Sequence, residues 1–528
     1  MTAAGIWLHV AVPVLVTALA ARAVWAAASV EMCARWLLRA PRPTPPAKDV
    51  PWLVVLLPML REQAVAPATV AAFTALPYPP GRAAVVVITT ERETSARARQ
   101  RGQLPALAGL APLEPDRLLG LFPAHRCKTV AQAVNAAAPG DRLTVLTGLF
   151  DAQPTTAQTI ASLAAAPPEP GGLPLVHLHQ PDTGGRKAGQ LNHALGRLDQ
   201  VLGPLGWSES TDAQATFITV YDADACPDAR TLHAFVDAAR AHRQRTGRPP
   251  ALIQQQRLPL AGRRPFPHGP LGVVLAGEWI YQLRRSLGIE LARVRLHHRL
   301  AASRLPEPVR MWARPMVYAV GCGMAVHLPA VRALGGFPEP MEDIGTGHRL
   351  SLLGAPLTAS RAIVLDEPYT HPGGLANLHA LAFTASARPD RHAAAVAHLP
   401  AHLPAASRLV LVAREWADEA AWLLGAPLTA AAAASSWWAG PGWAALAAAG
   451  VLLHCPLQTA RLLALAPALY NTFTPPPGIT SPPSPPARRR AVLIAASPLQ
   501  PFVRLVGPWR HLIRLTARRQ RAFGKTER

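Results

Sequence analysis

Two apolar zones near opposite ends of a 528-residue chain set the first constraint on its fold. From Ile6 to Ala28 the chain is apolar except for His9, Thr17 and Arg22, which supplies about the 20 residues needed to cross a bilayer core. No charged side chain precedes this run, whereas Arg35, Arg39, Arg42 and Lys48 follow it, so the positive-inside rule puts the following segment in the cytoplasm. A secretory signal would carry its charge before the apolar stretch and a small-residue cleavage site after it, so the run reads as an uncleaved anchor. Pro41 to Pro46 reads as a short proline linker.

The second zone, Ala420 to Tyr470, is interrupted by Trp437-Trp438-Ala439-Gly440-Pro441-Gly442-Trp443. Tryptophans about a Gly-Pro turn suit a membrane interface, and two spans are expected, Ala420 to Trp437 and Trp443 to Leu457. A buried helical hairpin of a soluble domain would have the same alanine-rich composition. Leu462 to Tyr470 is too short to span, and Thr474 to Pro486 is proline-rich ahead of Arg488-Arg489-Arg490. Ala491 to Leu515 mixes apolar residues with prolines and arginines and reads as interfacial. The expected partition is an anchor at 1–30, a cytoplasmic linker at 31–49, a cytoplasmic globular domain at 50–400, a hairpin with flanking interfacial segments at 401–470 and a basic cytoplasmic tail at 471–528. The expected protein is therefore a multi-pass one of the plasma membrane.

The formal charge of +22 is carried almost wholly by arginine. Anionic lipid headgroups are its simplest partner, at roughly 1 kcal/mol per residue near the surface. No zinc-finger spacing, aromatic RNA-binding signature or basic zipper accompanies it, which argues against nucleic acid. The five cysteines are scattered and never spaced Cys-x-x-Cys, which argues against a disulfide framework or structural zinc and fits a reducing compartment.

Between the apolar zones lie short β-like runs: Trp52 to Leu57, Ala84 to Thr89, Arg142 to Leu146, Leu175 to Leu178, Thr216 to Tyr221, Leu252 to Gln255, Val317 to Val320 and Ala362 to Leu365. Such runs with helical connections predict an α/β domain on a mostly parallel sheet with flanking helices. In an open sheet of that kind the ligand sits beyond the carboxyl ends of the strands.

Three stretches carry chemistry. Thr216 to Tyr221 delivers Asp222 and Asp224 into a loop, where alternate residues can face one ligand; their hard oxygens suit Mg²⁺ or Mn²⁺ shared with substrate phosphates. Arg186-Lys187-Ala188-Gly189-Gln190-Leu191-Asn192 opens a helical pattern, and a cation at a helix start can hold a phosphate. Glu342-Asp343 begins another helix that runs through Arg349. The dipole there favours negative charge, and an ionised Asp343 can act as a general base. Taken singly, each has a bland counterpart: solvated loop aspartates, a basic helix end, an acidic first turn.

In order, Pro58-Met-Leu-Arg-Glu62, Lys187-Ala-Gly-Gln-Leu-Asn192, Asp222-Ala-Asp224, Gly321-Cys-Gly323, Gly335-Gly336-Phe337 and Glu342-Asp343 through Leu350 resemble family 2 glycosyltransferases over roughly residues 50 to 370. The resemblance implies a glycosyltransferase A fold and inverting transfer from a nucleotide sugar. It implies Asp343 as catalytic base with Glu342 its companion, Asp222 on the nucleotide, and Asp224 with Asp222 on the metal and diphosphate. It also implies Lys187 and Asn192 on the donor side and Glu62 near the nucleoside. Where many relatives have an aspartate for the nucleobase, this chain reads Val87-Ile-Thr-Thr-Glu91, leaving Thr90 or Glu91 for the donor. The Gln-x-x-Arg-Trp of processive members has no match between Asp366 and His402. The expected acceptor is lipid-linked or an envelope saccharide; a processive synthase and a non-catalytic membrane scaffold are the alternatives.

Overall fold

The computed structural model describes residues 3–39, 50–167, 169–260, 266, 269–367, 371–476 and 490–516. The Pro41–Pro46 linker, and residues 477–489 of the proline-rich tail with Arg488 and Arg489, lie outside them.

One eight-stranded sheet organises the middle of the chain. Its strands are β1 (Trp52–Pro58), β2 (Ala83–Thr90), β3 (Leu175–Gln180), β4 (Thr216–Val220), β5 (Cys226–Pro227), β6 (Leu252–Pro259), β7 (Met324–His327) and β8 (Leu357–Asp366), in the order β3-β2-β1-β4-β7-β6-β8-β5. All seven residues of β1 are buried, as expected of a strand covered on both faces. Trp52, Val54 and Leu56 join one core with Leu191, Ile218 and Val326. Leu53, Val55 and Leu57 point the other way, to Phe73, Phe217 and Tyr221.

The sheet is mixed, meeting the expected α/β arrangement in part: six strands run one way and β7 and β5 run against them. β3, β2, β1 and β4 run parallel and β6 pairs parallel with β8, but β7 runs antiparallel to both β4 and β6, and β5 antiparallel to β8. The reversal follows the turn Gly321-Cys322-Gly323, where Gly323 has φ +87°, a conformation glycine adopts without strain.

Two of the expected strands are not strands. Arg142–Asp151 is a helix, with Leu146 and Phe150 buried one turn apart. Val317 to Val320 belongs to no helix and joins no strand. It crosses the helix Glu342–Leu353, and side chains satisfy its backbone: Val317 N–H donates to Ser351 Oγ (3.0 Å), and Val320 N–H to Gln254 Oε1 (2.9 Å). Gly347 makes the crossing possible, since a Cβ there would lie 2.3 Å from Ala319 N. Between β2 and β3 a helical insertion closes on its own core of Leu104, Leu118, Phe122, Val130 and Phe150.

Among the described residues, three helical segments are long and apolar enough to cross a membrane: Trp7–Leu38, Pro441–Tyr470 and Arg490–Ile513. The first continues eight residues past the expected anchor boundary. The third meets the criterion of length and apolarity in a stretch read from sequence as interfacial. The stretch Ala420 to Trp437, expected to span, lies in the 35-residue helix Ala405–Ala439, which is not among the three. Its far half nonetheless packs against two that are: Ala432 shares a small core with Val12, Val16 and Ala447, and Trp7 Nε1 donates to Ser435 Oγ at 3.1 Å. Val14, Val24, Trp25, Leu428, Trp437 and Leu452 face outward, an apolar belt larger than single scattered surface residues would make. The Arg490–Ile513 segment turns back onto the α/β unit, where Gln500 Nε2 donates to the buried Glu278 at 2.7 Å, and onto the long helix, where Trp422 Nε1 donates to Arg504 O at 3.3 Å.

Candidate active site

A charged cluster gathers where β4 ends and β7 begins. Lys187, on the first turn of the helix Arg186–Leu195, donates to Asp222 Oδ1 at 2.8 Å and to Gly321 O at 3.2 Å, and its ammonium lies 2.6 Å from Glu342 Oε1. One lysine therefore bridges the first aspartate of the Asp-x-Asp turn and the first residue of the helix Glu342–Leu353. The turn Gly184-Gly185-Arg186 aims it: Gly185 has φ +74° and Arg186 φ +41°, both in the left-handed region, so the helix starts abruptly after β3.

Asp343 sits beside this bridge and is held differently. Its Oδ2 accepts from Gly321 N–H at 2.8 Å and its Oδ1 from Ile344 N–H at 2.7 Å. Burial and then the Glu342 charge push its carboxyl up to about 7, against the opposing pull of Lys187 and the two amides. Burial alone would lower the Lys187 pKa, but Asp222, Glu342 and Asp343 outweigh it and keep the ammonium charged. Lys187 is thus the fixed cation of the cluster and Asp343 its group poised near neutrality.

Gly321 allows this convergence. A Cβ there would lie 2.7 Å from Glu342 Oε1, 2.9 Å from Lys187 Nζ and 3.1 Å from Asp343 Oδ2.

The other expected residues are placed as follows. Asp224 is half-buried on the turn that Ala225 N–H closes onto Asp222 O at 3.1 Å. Asn192 acts as a clasp: its amide exchanges two hydrogen bonds with the backbone of Phe337, at 2.7 and 2.9 Å, and lies under Gly336. Glu62 is half-buried on the turn after β1, its N–H donating to Thr156 Oγ1 at 2.9 Å. Thr90 is buried, accepting from Arg92 N–H and donating to Asp182 O. Glu91 is more open and pairs with His179 at 3.3 Å. Lys187, Asp222, Glu342 and Asp343 are brought together; Thr90 and Asn192 are committed to holding the scaffold.

The oxygens of Asp222 and Asp224 have the hard-ligand character that Mg²⁺ and Mn²⁺ take. Asp222, Cys322 and Asp366 also bring ligand atoms within 4.8 Å of one another. That trio fits a hard cation less well. Burial, with Asp366 and Asp222 adding to it, pushes the Cys322 thiol well above its ordinary range, so it stays neutral, and Arg257 already holds Asp366 at 2.7 Å.

Sequence reasoning passed over Asp366 and Glu93. Asp366 ends β8 as Asp222 follows β4, so an acidic residue closing a β-run was its signal. Buried Glu93 accepts from Arg61 N–H and Thr156 N–H at 3.3 and 2.9 Å, tying the helical insertion to the end of β1. Nothing in its helical context, Glu91-Arg-Glu-Thr, distinguishes it from a solvated first turn.

No protein-family model and no curated protein sequence matches the chain. Among solved structures it is similar to a mannosyltransferase from Pyrobaculum calidifontis in complex with GDP-mannose and Mn²⁺, at 16% identity and TM-score 0.39 over 93% of this chain and 98% of that one. It is also similar to S. aureus TarS 1–349, at 10% identity and TM-score 0.32 over 90% of this chain and 98% of that one. With both TM-scores below 0.5, the two likenesses leave the functional reading to the chain's own residues.

Proposed function

We propose that this protein is a multi-pass, membrane-anchored glycosyltransferase. It moves a sugar from a nucleoside diphosphate to a lipid-linked or envelope-saccharide acceptor at the cytoplasmic face, with inversion. The observation that carries the reading is the Lys187 bridge from Asp222 to Glu342, with Asp343 held next to it by Gly321 N–H. The apolar helices Trp7–Leu38 and Pro441–Tyr470 support the membrane placement.

In this reading Asp222 and Asp224 would hold Mg²⁺ or Mn²⁺ beside the donor diphosphate, and a bound ion would supply positive charge against that developing on the departing group. Lys187 holds Asp222 and Glu342 in place. Asp343 takes the proton from the acceptor hydroxyl as its oxygen bonds to the anomeric carbon. The bond from that carbon to the diphosphate oxygen breaks, and the nucleoside diphosphate leaves with the electron pair. Glu91 with His179, at the end of β2 and β3, is the candidate contact for the nucleobase.

The test is release of nucleoside diphosphate by the full-length protein in detergent, over a panel of UDP- and GDP-sugars with Mn²⁺. Wild type turns over at least one donor and Asp343→Asn does not, while both bind it. Undiminished turnover in Asp343→Asn overturns the mechanism.

A further inference from the structure

Away from the Asp222 cluster, a second concentration of charge surrounds a cavity of about 480 Å³. The cavity lies between the helices Thr231–Thr246 and Ala292–Ala301 and the first half of β8, with Trp36 on one side. Five arginines line it, Arg230, Arg245, Arg295, Arg299 and Arg361, against a single carboxylate, Asp237.

Three of the five are committed. Arg230 pairs with Asp228 at 2.6 Å. Arg295 and Arg361 lie over Trp36, 4.8 and 4.9 Å from the ring centroid, and each donates to a backbone carbonyl at 3.1 Å, those of Met32 and Arg39. They form a fixed wall. Arg245 and Arg299 are exposed at the rim and make no hydrogen bond or ion pair among the described residues. The field inside is felt by its neighbours: burial and then Arg295 lower the Arg361 pKa, and burial and then Arg245 lower that of His298. Like charges gathered around one cavity repel one another, so the arrangement favours whatever anion enters it.

We propose that this cavity binds a phosphate-bearing anion, with Arg295 and Arg361 as its preformed wall and Arg245 and Arg299 closing on it from the rim. The guanidinium fork matches phosphate oxygens two at a time. The volume falls in the range of roughly 300–1,000 Å³ seen for small-molecule sites and has room for a diphosphate or a phospholipid headgroup. The site is distinct from the donor site. Its β8 residues, Thr358 to Ala362, precede Asp366 by four to eight positions, or about 13–26 Å of strand, and it is Asp366 that neighbours Asp222. Trp36 belongs to the helix Trp7–Leu38, so a membrane headgroup and a soluble phosphate compound are the two sources of this chemistry. The inference stands independently of glycosyl transfer.

Thermal unfolding of the full-length protein with EDTA, which keeps divalent metal from the Asp222–Asp224 turn, tests it. One arm adds pyrophosphate in neutral detergent; the other compares nanodiscs of phosphatidylglycerol with nanodiscs of phosphatidylcholine. Wild type gains several degrees from pyrophosphate if the ligand is soluble, or from phosphatidylglycerol if it is a headgroup, and Arg245→Ala/Arg299→Ala loses at least half of that gain. No gain in either arm, or equal gains in wild type and the double variant, overturns the proposal.

Discussion

Replacing Gly321 with alanine tests the charged cluster with a single methyl group. Gly321 is not among the positive-φ glycines, so the substitution meets steric opposition and no backbone strain. The new Cβ would lie 2.7 Å from Glu342 Oε1 and 2.9 Å from Lys187 Nζ. Restoring ordinary contact of about 3.4 Å displaces the two groups by roughly 0.7 and 0.5 Å. Taken out of the Lys187 pairs, now 2.6 Å to Glu342 and 2.8 Å to Asp222, that stretches both to about 3.3 Å. At an effective dielectric of 20 the two losses sum to roughly 2 kcal/mol. If the cluster is poised for transfer, turnover falls about 30-fold. The assay is the initial rate of nucleoside diphosphate release by purified Gly321→Ala, with circular dichroism to establish that the fold is intact. Wild-type turnover at a wild-type unfolding midpoint would refute the reasoning.

The remaining expectations concern neighbouring groups. On the proposed mechanism Asp343 must be ionised to accept a proton, so kcat/KM is expected to rise with pH through about 7. Stability has the opposite sign: the folded pKa lies above the unfolded one, so the native state binds the extra proton between about pH 4 and 7 and stability falls as pH rises across that window. Chemical denaturation at pH 5 and pH 8 measures this, and a flat profile would show that Asp343 is not the raised group. Asn192→Ala removes both bonds to Phe337 and costs about 1–3 kcal/mol in urea unfolding; a neutral outcome would mean that water replaces the clasp. Arg257→Met strips buried Asp366 of its partner at 2.7 Å, an expected loss of about 3–5 kcal/mol, and an unfolding midpoint within a degree of wild type would contradict it.

The parts of the sheet legible in sequence were those where local pattern and tertiary role coincide. β1, β2 and β4 are continuous apolar runs because both faces are covered, and the cluster residues stand at abrupt ends of such runs. Val317 to Val320 has the same composition but lies on a helix, and what decides its fate, Gly347 and Ser351, is thirty residues away. Met324 to His327 is four residues long, too short to carry a period, and becomes β7 only because the glycine turn before it returns the chain beside β4. At the site, Lys187, Asp222, Glu342 and Asp343 were named from sequence, but their mutual contacts depend on Gly321, whose meaning is the absence of a side chain. Asn192, expected on the donor side, bonds through its amide to the backbone of Phe337.

The helix Ala405–Ala439 joins the two halves of the molecule without a break. Over 35 residues it is about 52 Å long. Arg293 grips its near end through Glu415 and Asp418, and Trp7 touches Ser435 at the far end. A strut fastened at both ends sets a stand-off: the height of the Asp222 cluster relative to the apolar hairpin is a built-in length, with Pro427 the one point in this helix where an interior hydrogen bond is missing and the rod can bend. Whatever plane the hairpin occupies, the cluster is held at a constant level beside it.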